Sequence, residues 1–278
     1  MKKTIAGLYT AASIFTLAAC GTSDEGSQGN GGEETKEITV GASNIPHAEI
    51  LEKAKPILEE EGIELTIDTY QDYVLPNKDL DSGEIDANYF QHIPYLESQI
   101  ADHEYDFVNA GGIHIEPIGV YSKKYDSLED LPEGATILMS NSVADHGRIL
   151  TLLEAKGLIK IKEGIEKTAA TLDDIEENPK NFEFDYEYEA ALLPQLYENE
   201  EGDAVVINSN YAIDSGLKPL EDSIAIEDKE SPYVNVIAVN SGDEDNEAIQ
   251  ALVEVLRSEE IQDFILEEWD GAVVPVQE

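Results

Sequence analysis

The chain has 278 residues, and its 60 acidic residues against 17 Lys and Arg give it a net charge of −43 at pH 7. Hydrophobic residues make up 41% of the chain, so a core can be built, and the length suggests about two domains. The charge excludes a nucleic-acid binder, because polyphosphate would be repelled, and the single cysteine excludes a disulfide framework and a cysteine-based metal cluster.

The start of the chain differs in composition from the rest. Residues 1–19 join Lys2 and Lys3 to an uncharged apolar run that is too short to span a bilayer, which indicates a signal peptide. The small residues directly before Cys20 are similar to a bacterial lipobox, in which the cysteine is lipidated. An ordinary signal peptide with an incidental cysteine is the alternative. Residues 20–36 are rich in Gly and Ser and predict a flexible tether, so we expect a lipid anchor at the extracytoplasmic face of the cell membrane.

Short apolar strands alternate with helical stretches from residue 37 onward. In chain order, the pattern predicts strand 38–41, helix 47–61, strand 63–67, helix 76–81, strand 86–90, helix 93–103, strand 113–121, strand 135–139, helix 145–155, strand 182–188, helix 189–197, strand 204–207, strand 233–239 and two helices within 243–268. Pro56 lies inside the first helix, where we expect a kink. Strands interleaved with helices predict an α/β fold with parallel or mixed sheets, and the number of strands favours two lobes over one sheet.

No motif in the chain supports catalysis or cofactor binding. The sequence holds no Gly-x-Ser-x-Gly turn, Walker A loop, Gly-x-Gly-x-x-Gly turn or EF-hand loop. Asp145 and His146, near Ser140, have the residue types of a catalytic triad, but sequence neighbours on a helix rarely face one another. We therefore expect a protein that is not an enzyme and that needs no cofactor.

Metal binding is the alternative function that the residues themselves suggest. Five histidines lie at predicted loops and strand ends of this acidic chain, and extracellular zinc or manganese receptors collect His and carboxylate ligands from such places. They are His47, His92, His103, His114 and His146. None of them shows a tight ligand spacing, so the sequence predicts no particular metal site.

Arginine is scarce, and its two positions differ in context. Arg257 ends a predicted C-terminal helix, where a cation suits the helix dipole. Arg148 follows a predicted strand and opens a helix, and open α/β folds bind ligands at the carboxyl ends of strands. A planar guanidinium at that place can hold a small carboxylate with two parallel hydrogen bonds. A salt bridge between Arg148 and a nearby acid is the alternative.

Several short motifs occur in order along the folded part of the chain. They are Asp72–Asn77, Asp86–Leu96, Tyr121–Lys124, Gly157–Lys160, Glu177–Asn181 and Glu227–Asn235. Together with the lipobox they resemble the methionine-binding lipoproteins of the MetQ/NlpA type, which feed methionine ABC importers, over about residues 37–270. The resemblance implies a two-lobed, periplasmic-binding-protein-like fold of type II, with the ligand in the cleft between the lobes.

The same resemblance implies the ligand and the partners. Methionine is the expected ligand, with the L form first and D-methionine or a methionine-containing dipeptide as alternatives. The expected partners are the membrane permease and the ATPase of an ABC importer, and the protein itself is expected to be a monomer. On this fold, lobe 1 would comprise 37–119 and 233–278, and lobe 2 would comprise 120–232.

Position by position, the resemblance also implies a set of ligand-binding residues. Those matched to an aromatic wall around the thioether, where sulfur–aromatic contacts contribute about 0.3–1.5 kcal/mol, are Tyr73, Phe90, His92 and Tyr95. Those matched to polar contacts with the amino-acid backbone are Arg148, Asn208 and Asn235, with Asn141 as a weaker candidate. Without the resemblance, the aromatic residues read as core and the asparagines as turn residues.

The loop from Asn141 to Arg148 departs from the family pattern Asn-Asp-x-Thr-Asn-x-Gly-Arg. Asp145 stands where the family has an amide, and His146 stands where an apolar residue is common. A carboxylate at position 145 could hold the ammonium group of the ligand, or it could pair with Arg148 in the empty state and weaken the grip on the ligand carboxylate. We therefore count Asp145 among the candidate ligand-binding residues.

Overall fold

The computed structural model describes residues 36–276, and most of their strands lie in two β-sheets. In chain order the strands are β1 (Lys36–Ser43), β2 (Ile63–Tyr70), β3 (Ala87–His92), β4 (Phe107–Ile115), β5 (Gly119–Tyr121), β6 (Thr136–Ser140), β7 (Lys160–Ile161), β8 (Ile175–Glu177), β9 (Glu183–Tyr188), β10 (Ala204–Ile207), β11 (Ala225–Ile226), β12 (Val234–Asn240) and β13 (Val274–Pro275). The α-helices are α1 (Glu49–Glu60), α2 (Leu75–Ser82), α3 (Ile93–His103), α4 (Val143–Ala155), α5 (Leu193–Glu198), α6 (Ser209–Asp214), α7 (Pro219–Asp222), α8 (Glu247–Leu256) and α9 (Glu259–Glu268). The expected signal peptide, the lipidation site at Cys20 and the tether up to residue 35 lie outside the described residues.

Both sheets mix parallel and antiparallel pairs. The first has the strand order β13-β4-β12-β3-β1-β2, and the second has the order β11-β5-β10-β6-β9. In the first sheet β1 runs parallel to β2 and β3, while β12 is antiparallel to β3 and β4. In the second sheet β6 runs parallel to β9 and β10, while β5 is antiparallel to β10 and β11. The expected α/β class with mixed sheets is confirmed.

The hydrophobic spacing of each element explains which face it buries. In β2, Ile63 and Leu65 are buried and the residue between them is exposed, as a strand with one covered face requires. In α1, Leu51 and Leu58 lie on one buried helical stripe, which packs on the first sheet. The helix continues beyond Pro56 to its end at Glu60. The local pattern therefore decides the orientation of both elements.

The chain passes between the two sheets twice. β4 belongs to the first sheet and β5 to the second, so the expectation of a single strand over 113–121 is wrong. Pro117, which has no N–H to donate, lies in the break between them. We call the two connections between the sheets, residues 116–118 and 227–233, the crossing segments. They support the lobe boundaries expected near residues 119 and 232, which remain predictions.

The remaining differences from the predicted elements are small. The sequence pattern did not predict the short β7–β8 pair or helices α6 and α7, and the expected helix over 189–197 begins as a single turn before α5. Arg257 is the C-cap residue that follows α8, and its Nε donates to the main-chain oxygen of Gly112 in β4 at 2.8 Å, so it links the end of the helix to the first sheet. Among the described residues, no helix is both long and apolar enough to cross a membrane.

Candidate ligand-binding site

A cavity lies where strand ends from the two sheets meet. Its walls come from the carboxyl ends of β3 and β10, from α3 and α4, from the first crossing segment and from β12. The lining residues are Tyr73, Phe90, Gln91, His92, Tyr95, Glu116, Asp145, Arg148, Asn208, Ser209, Asn210 and Asn235. Open α/β folds bind small ligands at such strand ends.

All but one of the residues expected to bind ligand line this cavity. The exception is Asn141, which is exposed and borders a wider groove that shares Tyr73 and Tyr95 with the cavity. The main-chain N–H of Asn141 donates to the carbonyl oxygen of Tyr188 at 2.8 Å, which extends the pairing of β6 with β9. This pairing holds position 141 at the outer end of the loop, away from Arg148.

Aromatic rings form one end of the cavity. Tyr73, Phe90 and Tyr95 lie with ring centroids 5.9 to 6.1 Å apart. The hydroxyl of Tyr73 donates to Oδ1 of Asn210 at 2.6 Å, across the cleft. Burial raises the pKa of the Tyr73 hydroxyl well above its ordinary value, so the ring stays neutral. This end of the cavity suits an uncharged, polarisable side chain.

A buried amide network holds the aromatic wall in place. The Nε2 of Gln91 donates to Oδ1 of Asn77 and to Oδ1 of Asn88, both at 2.8 Å. The Nδ2 of Asn88 donates in turn to Oδ1 of Asn77 at 2.9 Å. All three side chains are at most 2% exposed. Because their polar groups satisfy one another, they fix β3, and with it Phe90, against the first turns of α2.

Asp145 is one of two acidic residues that line the cavity, the other being Glu116. It accepts from Nε2 of His92 at 3.0 Å and from Nδ2 of Asn208 at 3.3 Å, while Nη1 of Arg148 lies 3.5 Å away. Burial would raise the pKa of the Asp145 carboxyl, but His92 and Arg148 outweigh it and lower the pKa to about 2. The Nδ1 of His92 accepts from the main-chain N–H of Tyr95 at 3.1 Å, which assigns the proton to Nε2.

Two asparagines of the cavity wall offer different groups to a ligand, Asn208 an acceptor and Asn235 a donor. Oδ1 of Asn208 is buried and has no hydrogen-bond partner within residues 36–276, so it can accept from a ligand cation. Oδ1 of Asn235 lies 3.1 Å from Nε2 of His47, which leaves the Asn235 NH₂ group to donate into the cavity. An ammonium group near Asn208 and a carboxylate near Asn235 would satisfy both.

Arg148 is almost fully engaged by protein acceptors. Its Nε donates to Oε2 of Glu227 at 3.0 Å, and its Nη2 donates to that same oxygen and, at 2.7 Å, to the main-chain oxygen of Glu116. Its guanidinium carbon lies 4.6 Å from the centroid of the Tyr233 ring. Burial would lower the pKa of Arg148, but Glu227 and Asp145 raise it above the ordinary value. The salt bridge to a nearby acid, which was the alternative role for Arg148, is therefore present. Of the three guanidinium nitrogens, Nη1 is the one that faces the cavity.

A second buried cluster lies beside the cavity. It consists of His47, His114 and Glu116, whose imidazole nitrogens and carboxylate oxygen lie within 4.8 Å of one another. A metal ion could be coordinated by such a set of atoms. Oε1 of Glu116 accepts from Nε2 of His114 at 2.7 Å and lies 3.2 Å from Nε2 of His47. Burial lowers the pKa of His47 to about 4, so its ring is neutral at pH 7 and donates without charge. Glu116 thus pairs with both imidazoles, while Nδ1 of His47 is buried and has no hydrogen-bond partner within residues 36–276.

Sequence reasoning missed part of the cavity wall. The additional lining residues are Gln91, Glu116, Ser209 and Asn210. Two of them had a local signal, because Ser209 and Asn210 follow Asn208 directly at the end of β10. Glu116 had none, since one acid among 60 carries almost no information. Its position in the first crossing segment is what brings it to the site.

The comparison with known proteins identifies the family. The model of the family described as NlpA lipoprotein matches residues 38–277. The chain belongs to the NlpA lipoprotein family. This confirms the resemblance that the short motifs indicated, and the two-lobed binding-protein fold follows with it.

Relatives of this NlpA lipoprotein cover nearly its whole length. The methionine-binding lipoprotein MetQ of Bacillus subtilis (strain 168) is 49% identical over 280 residues, and the match covers 100% of both chains. The D-methionine-binding lipoprotein MetQ of Yersinia pestis is 36% identical, with 98% of this chain and 97% of the relative covered. The solved structure of a nutrient binding protein from Burkholderia cenocepacia bound to methionine is 42% identical, with a TM-score of 0.80, and the match covers 86% of this chain and 99% of that one.

These relatives also decide between function classes. They are solute-binding proteins, so this NlpA lipoprotein is not an enzyme, as the search for catalytic motifs indicated. The names of these relatives mention methionine and no metal ion. The alternative of a zinc or manganese receptor therefore receives no support from them.

Proposed function

We propose that this NlpA lipoprotein captures methionine, with L-methionine preferred, and delivers it to an ABC importer. The observation that carries the proposal is the cavity, which has aromatic rings at one end and uncommitted polar atoms of both kinds at the other. A zwitterionic amino acid with an apolar, polarisable side chain matches both ends. Methionine is also the ligand that the name of the Bacillus subtilis relative mentions and to which the Burkholderia cenocepacia protein is bound in its structure, which supports the same choice.

Each end of the cavity has a distinct role in this proposal. Tyr73, Phe90 and Tyr95 surround the thioether, whose sulfur gains about 0.3–1.5 kcal/mol from aromatic contacts. The carboxylate of Asp145 and Oδ1 of Asn208 accept from the ammonium group, and Asp145 is ionised at neutral pH because its pKa is about 2. The paired charges of an amino acid thus find partners without leaving a buried charge unpaired.

The carboxylate end depends on two donors. Nη1 of Arg148 and the NH₂ group of Asn235 are the groups that face the ligand carboxylate. His92 acts through Asp145, because its Nε2–H donates to the carboxylate and holds it toward the cavity. Two single donors replace the parallel two-bond grip that an unoccupied guanidinium would offer, since Nε and Nη2 of Arg148 donate to protein acceptors.

The rest of the proposal concerns the whole chain. Lobe 1 over 37–119 and 233–278 and lobe 2 over 120–232 would close on the ligand by rotation at the crossing segments. Lipidation at Cys20 would hold the protein, as a monomer, at the extracytoplasmic face beside the permease and ATPase. The lipoprotein family supports such an anchor.

The test is a calorimetric titration of residues 21–278 after unfolding and refolding, which removes carried-over ligand. We expect L-methionine to bind more tightly than D-methionine or glycyl-methionine, and zinc not to bind. Arg148→Ala should weaken L-methionine binding by roughly a hundredfold or more, because the ligand carboxylate loses a buried charged donor. Arg257→Lys, a change at the chain's other arginine, is the control and should leave the affinity unchanged.

Two further variants sharpen the outcome. Arg148→Lys keeps the positive charge but loses the planar guanidinium. If this variant folds and still binds weakly, the loss of affinity comes from the missing guanidinium contacts and not from unfolding. Asp145→Asn restores the amide of the family pattern and should weaken binding of the free amino acid by about tenfold, because the ammonium loses a charged acceptor. Binding of zinc alone, with no effect of Arg148→Ala, would contradict the proposal.

A further inference from the structure

Glu227 joins the two crossing segments to each other. It opens the second crossing segment, and its main-chain N–H donates to the carbonyl oxygen of Ile118 in the first segment at 3.0 Å. Its side-chain Oε2 accepts from the main-chain N–H of that same residue at 3.2 Å. Its Oε1 accepts from Oγ of Ser231, further along the second segment, at 2.9 Å. The carboxylate is therefore held by both connections at once.

The same carboxylate holds the guanidinium of Arg148. Oε2 of Glu227 accepts from Nε of Arg148 at 3.0 Å and also from Nη2. The second hydrogen of Nη2 is taken by the main-chain oxygen of Glu116, which lies in the first crossing segment. Arg148 and Glu227 have side chains only 3% and 11% exposed, so the pair is shielded from water. Their contact is thus both strong and directional.

Glu227 does not line the cavity, so its effect on a ligand must pass through Arg148. With Nε and Nη2 committed, the guanidinium plane is fixed and Nη1 is aimed at the cavity. The guanidinium carbon lies over the ring of Tyr233, 4.6 Å from its centroid, so this ring covers one face of the guanidinium. If the carboxylate were absent, Nε would lack an acceptor and Nη2 would keep only the main-chain oxygen of Glu116, so the guanidinium would be held less firmly.

We propose that Glu227 is a positioning residue for ligand capture, which fixes Arg148 to the two crossing segments so that only Nη1 meets the carboxylate of the ligand. The inference rests on the proposed function for its ligand and adds the residue that orients the anchor. It also implies that the anchor is tied to the connections about which the lobes would move. Engagement of the ligand carboxylate and movement of the crossing segments are then mechanically linked through one side chain.

The first measurement follows the solvent exchange of the Arg148 Nε–H group in the absence of ligand. Because the chain holds only two arginines, protein made with isotope-labelled arginine gives two side-chain Nε–H signals, and Arg257→Lys assigns them. We expect the Arg148 signal to exchange slowly with solvent in the parent protein and roughly tenfold or more faster in Glu227→Gln. Glu230→Gln removes the same charge from an exposed position in the same segment and should change nothing.

The second measurement separates positioning from folding. Glu227→Gln should weaken binding of L-methionine by roughly tenfold or more, but it should barely affect methioninamide, which lacks the carboxylate. In an Arg148→Lys background the same change should have little further effect, because the two residues act as one unit. Ser231→Ala, which removes the contact to Oε1 alone, should show a weaker effect of the same kind.

Several results would overturn the inference. An Arg148 signal unchanged in Glu227→Gln would show that the carboxylate does not hold the guanidinium. Equal weakening of L-methionine and methioninamide, or full additivity with Arg148→Lys, would show a general structural effect instead. A parent protein that binds no methionine compound would contradict the proposed function, while the Arg148 signal would still decide whether Glu227 holds the anchor.

Discussion

His47 shows how burial decides the chemistry of a single side chain. It is 1% exposed, and its Nε2 lies 3.1 Å from Oδ1 of Asn235 and 3.2 Å from Oε1 of Glu116. Two acceptors facing one nitrogen place the proton on Nε2. The position of that proton determines that the Asn235 oxygen points away from the cavity and its NH₂ group toward it. His47 thus sets the polarity of a proposed ligand contact that it does not make itself.

The lowered pKa of His47 makes the folded state sensitive to acid. Its ordinary value of 6.5 applies to the unfolded chain, while burial lowers the pKa to about 4 in the folded protein. As the pH falls through that interval, the unfolded chain takes up a proton that the folded protein excludes. The stabilisation that comes from neutral His47 is therefore fully present at pH values above the pKa of the unfolded chain. It is lost as the pH falls toward the pKa of the folded protein, by roughly 3 kcal/mol in total.

We expect His47→Gln to flatten this part of the pH dependence. Urea unfolding at several pH values between about 7 and 4 gives the free energy of unfolding, and its slope against pH counts the protons taken up. His103→Gln, at an exposed position, is the matched control and should keep the parent slope. A His47→Gln slope equal to that of the parent would contradict the assignment of a neutral His47.

At the scale of elements, the first turns of α4 determine the geometry of the site. Asp145 and Arg148 are three residues apart on this helix, so both face the cavity. Gly147 between them faces the other way and lies against the turn formed by Lys167–Ala169. A Cβ at Gly147 would stand 2.3 Å from the carbonyl oxygen of Lys167 and 2.9 Å from that of Thr168. The Gly-Arg pair of the family pattern thus has a packing reason as well as a binding one.

Gly147→Ala should therefore destabilise the protein. The two close atoms are main-chain oxygens, which cannot move aside as a flexible side chain could, so the neighbouring turn or the helix must shift. We expect a loss of about 1–3 kcal/mol in urea unfolding, with weaker L-methionine binding because Arg148 shifts with the helix. Val143→Ala, at an exposed position of the same helix, should stay within about 0.5 kcal/mol of the parent.

The crossing segments are the other elements that local pattern could not resolve. Apolar residues recur along 113–121 in a way that predicts one strand, yet the parts before and after Pro117 pair in different sheets. Both halves carry buried apolar residues, Ile113 and Ile115 in one and Ile118 and Val120 in the other, so hydrophobicity does not indicate which sheet each half joins. The neighbours of each strand, which lie far away in sequence, decide it.

At the scale of the whole molecule, charge is the dominant feature. The acidic side chains that give the net charge of −43 repel one another, and few basic residues are available to offset this repulsion. Hydrogen bonds across the cleft, from Tyr73 to Asn210 and from Asn44 to Asp214, hold the two sides together against this repulsion. Since screening shortens the range of exposed charges to about 3 Å in molar salt, the compact state should be more stable there.

We expect the melting temperature to rise by roughly 5 °C or more between about 0.05 M and 1 M NaCl. Sucrose at matched osmolality is the control, because it changes hydration without screening charge. A melting temperature that stays flat across the salt series would contradict a destabilising role for the charge.

Local patterns in the sequence were sufficient for the class of the fold, whereas most of the cavity wall was predicted from the family resemblance. Periodicity places β2 and α1 with their buried faces, because each depends only on residues close in the chain. The family motifs identify Tyr73, Phe90 and His92, since short runs in a constant order are specific even without coordinates. These residues all reach the cavity, whereas Asn141, taken from the same loop as Arg148, does not.

The partners of the buried charges required the folded molecule. Glu227 and Arg148 are separated by 79 positions, and although Glu227 opens one of the family motifs, nothing in a chain with 60 acids indicates that it is the one that pairs with Arg148. Tertiary packing also lowers the pKa of Asp145, orients the amide of Asn235 and, within the part of the chain that the structure describes, leaves Oδ1 of Asn208 without a hydrogen-bond partner. Each of these properties depends on desolvation and on distances between atoms far apart in the chain, which sequence spacing does not encode.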